Sequence, residues 1–193
     1  MKITIACSKG GSAKTTTAIL LATVMTEAGL SVEVWDADPQ GDATDWSDTA
    51  KENGDPLPFP VVLANRRTVK RPVPHGVDYV LIDTNPHTPD VVQAAIDAAD
   101  FVIVPVIPSP RDMGRVWITL ETVTHRPHLA LLCRADRRET TPQETLDALD
   151  AHGAQRFQAE IPKSVNLVKD STSRPRSSYG YDAVLAELQA ALR

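Results

Sequence analysis

Residues 2–17 read KITIACSKGGSAKTTT, and this stretch decides the fold. It starts with an apolar run of strand length, passes through a turn with two glycines, and enters a helix predicted over Lys14–Ala28. Adjacent glycines let a backbone fold around a phosphate with its N–H groups pointing inward, and a helix N-terminus adds the positive end of its dipole. The stretch therefore predicts a strand, a phosphate-binding loop and a helix, although Ser8 and Ala13 stand where the pattern G-x-x-x-x-G-K-[ST] has glycine.

Strand and helix signals alternate along the rest of the chain. Apolar runs without polar alternation are typical of strands buried on both faces, which predicts an α/β fold with a mostly parallel central sheet flanked by helices on both faces. A polar segment that ends at Asp55 reads as a helix or a loop. The predicted strands are Lys2–Cys7, Ser31–Trp35, Val77–Ile82, Phe101–Val106 and Leu129–Cys133, and Val61–Leu63 is a short apolar run after a linker-like stretch. The further predicted helices are Pro89–Ala99, one that contains Ile118–Val123, Pro142–Ala151 and Tyr181–Leu192.

The polar residues of the loop suit a magnesium nucleotide. Lys14 can neutralise the β- and γ-phosphates, and the Thr15 hydroxyl can coordinate Mg²⁺. The loop alone also fits an ordinary strand–turn–helix with a surface lysine.

Carboxylates end two of the other predicted strands. Asp36 and Asp38 are two positions apart at a strand end, so both side chains can face the same site. Asp83 ends the strand before Thr84, where a carboxylate can hold the water shell of Mg²⁺. Parallel sheets bind ligands beyond the carboxyl ends of their strands, so these residues fall where a nucleotide site is expected.

Composition excludes several classes of protein. The 193 residues include 42% hydrophobic residues and carry a net charge of −5, which argues against a protein that coats nucleic acid uniformly. The longest apolar runs are too short to cross a bilayer, and no signal peptide is evident. Cys7 and Cys133 follow no metal or cluster spacing and read as buried thiols.

Together these motifs resemble the ParA family of partition ATPases, within the deviant-Walker-A group that also holds MinD and the nitrogenase iron protein. The resemblance covers roughly the first 110 positions and implies a P-loop NTPase fold. The matching stretches are Lys9-Gly10-Gly11-x-x-Lys14-Thr15-Thr16, Asp36-x-Asp38-Pro39-Gln40-Gly41, Leu81-Ile82-Asp83-Thr84 and Val104-Pro105-Val106-x-Pro108-Ser109-Pro110.

The resemblance implies a role for each matching residue. Lys9 would be the signature lysine that reaches the phosphates of the partner across an ATP-sandwiched dimer, Lys14 would bind phosphate, and Asp38 would orient the attacking water. Thr15, Asp38 and Asp83 would form the Mg²⁺ site. The nucleotide would be held by Lys9, Gly10, Gly11, Ser12, Ala13, Lys14, Thr15 and Thr16, with Arg134, Pro162 and the segment 105–110 near the base.

Three departures from the family pattern bear on turnover. Ala13 replaces a glycine in a tight loop, Asp42 replaces an asparagine, and residues 85–87 read Asn-Pro-His in place of Pro-Pro-Ser. None removes a charge that the mechanism needs, so we expect slow hydrolysis with binding retained.

The resemblance also implies the partners and the location. The phosphate loop starts within ten residues of Met1, so we expect one domain over 1–193 without an N-terminal helix-turn-helix. Such short ParA proteins leave centromere recognition to a small adaptor of the ParB or ParG type. We expect a cytoplasmic, nucleoid-associated ATP-dependent homodimer that binds DNA non-specifically and no membrane. The candidate DNA contacts are Lys163, Lys169, Arg174 and Arg176, which also fit a solvated loop.

Other functions remain as alternatives. A MinD-like membrane role needs a basic amphipathic C-terminal helix, and the segment 181–193 carries one basic residue, Arg193. An iron–sulfur reductase needs paired cysteines at an interface. An ATP-controlled switch or scaffold that positions another cargo with little hydrolysis fits the same motifs, and a metabolic ligase of the same broad fold fits less well.

Overall fold

The computed structural model describes residues 1–109 and 113–192, without the side chains of Val168, Lys169 and Ser171. Within this part, seven parallel strands form one sheet in the order β3-β2-β4-β1-β5-β6-β7. The strands are β1 (Lys2–Ile5), β2 (Val32–Ala37), β3 (Val61–Leu63), β4 (Tyr79–Thr84), β5 (Phe101–Val106), β6 (His128–Ala135) and β7 (Arg156–Pro162).

Helices connect the strands and cover both faces of the sheet. They are α1 (Lys14–Glu27), α2 (Asp42–Glu52), α3 (Pro89–Ala98), α4 (Met113–Thr122), α5 (Thr141–Ala151), α6 (Val165–Lys169) and α7 (Tyr181–Ala191), and short 3₁₀ turns lie at Thr68–Lys70 and Asp170–Thr172. This arrangement confirms the predicted fold class.

Neighbouring residues of the central strands pack into opposite layers. Ile103 of β5 belongs to the core that contains α1, α2 and α7, whereas Val102 and Val104 belong to the core beneath α3, α4 and α5. Because both faces are covered, every residue of β5 is buried. This is why the apolar runs showed no alternation in the sequence.

Helix α1 lies deepest, with every residue from Thr17 to Met25 buried. The Thr17 hydroxyl and the Tyr181 hydroxyl are 2.9 Å apart and share a hydrogen bond, which ties α1 to α7. The core therefore fixes the start of α1, and with it the loop that the sequence predicts to bind phosphate.

The main differences from the sequence prediction lie outside the first strand–loop–helix. The strand β7 and the short helix α6 were not predicted, while the polar segment after β2, predicted as a helix or a loop, is helical as α2 and buries Trp46. Within the described residues, no helix is long and apolar enough to cross a membrane.

Candidate nucleotide-binding site

A cavity of about 540 Å³ opens at the carboxyl ends of the central strands. Its size is in the range usual for small-molecule sites. The loop from Gly10 to Thr16 forms one wall, and residues that follow β2 and β4, together with Arg134 near the end of β6, form the others. The residues outside the loop are Asp38, Gln40, Asp42, Asn85, Pro86, His87 and Arg134.

The loop turns into α1 through a left-handed residue. Ala13 has φ 68° and ψ 25°, a conformation that costs an L-residue with a Cβ on the order of 1 kcal/mol. Gly11 has the same φ of 68° without that cost. No side chain caps α1 and its first turn carries no acidic residue, so the N–H groups at this helix end are available to an anion in the cavity.

Lys14 lies buried inside the loop. Its Nζ donates to the Lys9 carbonyl oxygen at 3.1 Å and to the Ser12 Oγ at 3.3 Å. Burial lowers the pKa of Lys14, while the nearby Cys7 and the carboxylates of Asp83, Asp38 and Asp42 act in the opposite direction. The ammonium group is thus held at the floor of the cavity by the loop that surrounds it.

Asp83 is the penultimate residue of β4, and both of its carboxylate oxygens are buried without a hydrogen-bond partner. Burial raises the pKa of Asp83 to about 7, and Asp36 adds to the effect. The Thr15 hydroxyl and Lys14 lie near enough to lower this pKa, although the hydroxyl makes no well-formed hydrogen bond to either oxygen. A buried carboxylate without a donor requires a partner, and a hydrated Mg²⁺ beside a threonine hydroxyl fits that need.

Asp38 is held in place by two donors. Its Oδ1 accepts a hydrogen bond from the backbone N–H of Gln40 at 2.7 Å and another from the side-chain amide of Asn85. Asn85 in turn accepts the backbone N–H of His87 at 2.7 Å. The carboxylate of Asp38 therefore has a fixed orientation at the cavity wall.

Asp36 lies within β2 and Asp38 follows it, and only Asp38 lines the cavity, although their spacing allowed both carboxylates to face it. Asp36 is fully buried, and its Oδ2 accepts from the Thr44 N–H at 2.9 Å and the Thr44 hydroxyl at 2.6 Å. Its Oδ1 accepts the N–H of Asp38 at 3.1 Å. Asp36 thus fixes the turn between β2 and α2.

Asp42 brings an additional carboxyl group to the cavity wall. Burial raises its pKa, and the carboxylates of Asp38, Asp36 and Asp45 add to the increase. In the described residues, no group of three or more His, Cys, Asp or Glu forms a ready-made metal site. The acidic side chains therefore lie at or near the cavity but do not form a complete metal-binding site by themselves.

Arg134 reaches the cavity because β6 is irregular at this point. The pairing of β6 with β7 shifts register between Cys133 and Ala135, and Arg134 has a left-handed φ of 58°. A bulge of this kind redirects a side chain out of the buried strand pattern. Pro162 instead lines a separate cavity of about 500 Å³ at the ends of β6 and β7, so the structure places these two predicted base contacts in different cavities.

The first part of the loop contacts α4. The Ser8 hydroxyl donates to the Arg115 carbonyl oxygen at 2.9 Å, and the Ser8 N–H donates to the Thr119 hydroxyl at 3.1 Å. Ser8, which replaces the first glycine of the phosphate-loop pattern, therefore anchors the loop to α4. Lys9 is half-buried and precedes the stretch that lines the cavity, which begins at Gly10.

The predicted DNA contacts are mostly paired with carboxylates. Lys163 lies 3.8 Å from Asp136 and 3.7 Å from Glu139. Arg174 pairs with Glu27 at 3.1 Å. Arg176 and Asp55 form a further pair at 2.7 Å. The side chain of Lys169 and residue Pro110 of the predicted base-flanking segment lie outside the described part of the chain.

The sequence analysis named Asn85, Gln40 and Ser8 but did not predict that they position other parts of the site. Asn85 and Gln40 hold Asp38, and Ser8 holds the loop. Their position directly after strand ends was a usable signal, because strand ends converge at the ligand edge of a parallel sheet. Their partners could not be read from the sequence.

Residues 3–174 match the model of the CobQ/CobB/MinD/ParA nucleotide binding domain. The chain belongs to this family. It is 32% identical over 114 residues to the protein ParA of Rhizobium radiobacter, and the match covers 57% of this chain and 50% of that protein. A maintenance of carboxysome distribution protein A of Gloeobacter kilaueensis is 35% identical over 147 residues, covering 67% of this chain and 61% of that protein.

A third relative matches more of the chain. The chromosome-partitioning ATPase Soj of Thermus thermophilus is 30% identical over 207 residues, with 87% of this chain and 83% of that protein covered. The first two relatives are longer than the matched part, so this chain spans only about half to three fifths of their length.

The fold is shared with solved structures of the family. A plasmid partition protein of Borrelia burgdorferi B31 bound to AMPPNP superposes with a TM-score of 0.76 at 20% identity, covering 98% of both chains.

Proposed function

We propose that this ParA/MinD-type domain is a partition ATPase that binds Mg-ATP, pairs with a second copy of itself and hydrolyses ATP slowly. The observation that carries the proposal is one cavity lined by the loop, Lys14 and Asp38, with the unpartnered carboxylate of Asp83 buried near Thr15 and Lys14. The Borrelia relative of the same fold holds an ATP analogue, which supports a nucleotide as the ligand.

The phosphates would lie in the loop. The free N–H groups at the start of α1 and the backbone from Gly10 to Thr16 present donors, and Lys14 supplies a positive charge at their centre. Lys14 would exchange its contacts with the Lys9 carbonyl and Ser12 for phosphate oxygens. The base would extend past Arg134 towards the neighbouring cavity at Pro162.

Thr15 and Asp83 would hold the metal, Thr15 directly and Asp83 through water, with Asp38 nearby. When bound, Mg²⁺ neutralises charge on the β- and γ-phosphates. Asp83 would then lose the proton that its raised pKa lets it carry, because the cation stabilises the carboxylate.

Asp38 would orient the attacking water. Its Oδ1 is already occupied by the Gln40 N–H and the Asn85 amide, which fixes its orientation. Asp42 adds negative charge next to the same space, and this supports slow turnover, since a further carboxylate disfavours the approach of a phosphate.

Lys9 would act on the partner copy. Its backbone carbonyl accepts a hydrogen bond from Lys14, and Lys9 itself is not among the residues that line the cavity of its own chain, which begin at Gly10. A cation supplied across a dimer would stabilise the charge of the transferring phosphoryl group as an arginine finger does.

The biological role we propose is DNA segregation in the cytoplasm, with the ATP-bound dimer on nucleoid DNA and a small centromere-binding adaptor that stimulates hydrolysis. It is supported by the ParA and Soj relatives. We further propose that residues 1–193 act as a single ATPase domain.

The test compares Lys14→Ala and Lys9→Ala with wild type in ATP titration and in sedimentation with Mg-ATP. Lys14→Ala should weaken ATP binding at least a hundredfold. Lys9→Ala should bind ATP within about tenfold of wild type and remain monomeric, since it removes an interaction made only across the dimer. ATP-dependent dimers of undiminished stability in the Lys9 variant would reject the cross-dimer role.

A second candidate is an ATP-controlled switch that positions a protein cluster with little hydrolysis. The carboxysome-distribution relative favours it, at 35% identity. Both candidates use the same site and differ in turnover, so ATPase rates with DNA and adaptor present separate them. Turnover that stays at the basal rate supports the switch.

A further inference from the structure

A dense cluster of cations follows the edge strand β3. Arg66, Arg67, Lys70 and Arg71 fall within six positions, and no Asp or Glu occurs between Asp55 and Asp78. We call residues 66–71 the basic segment, and these four side chains are its cations. The whole chain carries −5, so this segment stands apart from the rest of the molecule in charge.

Contacts with the rest of the fold hold the backbone of the basic segment in place. Val69, at its centre, is fully buried beside α3, and its carbonyl oxygen accepts the Lys2 Nζ at 3.0 Å. The Asn65 Oδ1 accepts the N–H groups of Arg67 at 2.9 Å and Thr68 at 3.1 Å. The backbone is therefore held from inside while the four cations remain exposed.

The charge of the basic segment is not compensated locally. Among the described residues, none of its four cations takes part in an ion pair. Lys163, Arg174 and Arg176, the cations expected from the sequence to meet DNA, each have a carboxylate within 4 Å. An anionic partner would meet a net positive surface at the basic segment and a nearly balanced one at the C-terminal residues.

We propose that the basic segment is the surface that holds the phosphate backbone of duplex DNA, and this inference rests on the proposed function in taking DNA as the partner. Three of the four cations are arginines, whose planar donors suit phosphate oxygens. None of the described cavities is lined by these side chains. A charged surface that lines none of these five cavities suits a repeating phosphate backbone better than the side chains of an acidic protein.

The experiment compares two triple variants with equal loss of charge. R66A/R67A/R71A removes most of the cations of the basic segment, and K163A/R174A/R176A is the matched control. Binding of wild type and both variants to a labelled duplex of random sequence is measured by anisotropy with Mg-ATP from 50 to 300 mM salt. All six side chains lie at the surface, so unchanged circular dichroism and melting should accompany both variants.

R66A/R67A/R71A should weaken DNA binding about a hundredfold at 0.1 M salt and reduce the slope of log K against log salt by two to three, because each lost phosphate contact removes about 0.9 from that slope. The control should change affinity less than threefold. The reverse ranking of the two variants would overturn the inference.

ATP titration of the same samples separates this inference from the proposed function. If the protein binds no ATP but still binds DNA through the basic segment, the proposed ATPase function is wrong and the proposed DNA-binding surface is correct. Wild type that binds ATP but not DNA would reject the surface. Stronger binding to poly-glutamate than to DNA, lost in R66A/R67A/R71A, would assign the basic segment to an acidic protein and also overturn the inference.

Discussion

At the residue scale, the site is built from groups that are unfavourable in the ligand-free protein. Ala13 adopts a left-handed backbone, the amine of Lys14 is buried, and Asp83 is buried without a donor. Each of these costs free energy that a nucleotide and its metal can recover. Their concentration around one loop is what distinguishes this cavity from the others.

The pKa of Asp83 predicts how stability depends on pH. In the ligand-free fold the pKa is raised from 3.8 to about 7, so the folded state keeps a proton that the unfolded chain loses between these values. The free energy of unfolding should therefore fall as pH rises from about 4 to 7, by on the order of 4 kcal/mol. Asp83→Asn stays neutral, so its profile should lack the fall that Asp83 causes, and it should be the more stable protein at pH 8.

The measurement is urea unfolding at several pH values with EDTA and no nucleotide. Asp90→Asn, at an exposed position on α3, is the control and should keep the wild-type slope. An equally steep fall in the Asp83 variant would show that another group causes it.

At the scale of elements, the sequence predicted the parts whose signal is local. The first strand, the loop and α1 could be predicted because an apolar run, two glycines and helical spacing follow one another directly. Strand β7 was missed because its apolar residues Phe157, Ala159 and Ile161 alternate with polar ones, whereas the predicted strands were found as continuous apolar runs. The turn that Asp36 fixes through Thr44 and the orientation of Asp38 by Asn85 depend on contacts that only the fold creates.

The edge of β7 is protected by α7. The Glu187 carboxylate accepts the backbone N–H groups of Gln158 and Ala159, both at 2.7 Å. Glu187→Ala leaves these two donors without that partner, so we expect it to lower the free energy of unfolding by about 1–3 kcal/mol. Chemical denaturation measures this, and Gln189→Ala on the same helix should cost less than about 0.5 kcal/mol. Equal costs for the two variants would mean that Glu187 acts through helix propensity alone.

At the scale of the whole molecule, every pairing in the sheet joins distant parts of the chain. All the strand pairs are parallel, so no pair is closed by a tight hairpin. Domains dominated by non-local contacts fold in milliseconds to seconds. Stopped-flow refolding monitored by tryptophan fluorescence should therefore show a main phase in that range, and a dominant microsecond phase would contradict it.

The central position of β1 has a consequence for synthesis in the cell. Lys2 pairs with Val80 and Ile3 with Phe101, so both neighbours of the first strand are translated long after it. At about 5–20 residues per second, β1 waits roughly 5–20 s before its second partner leaves the ribosome. During that interval an apolar strand followed by a glycine loop has no sheet to join. We expect the nascent chain to depend on chaperones until β5 has emerged.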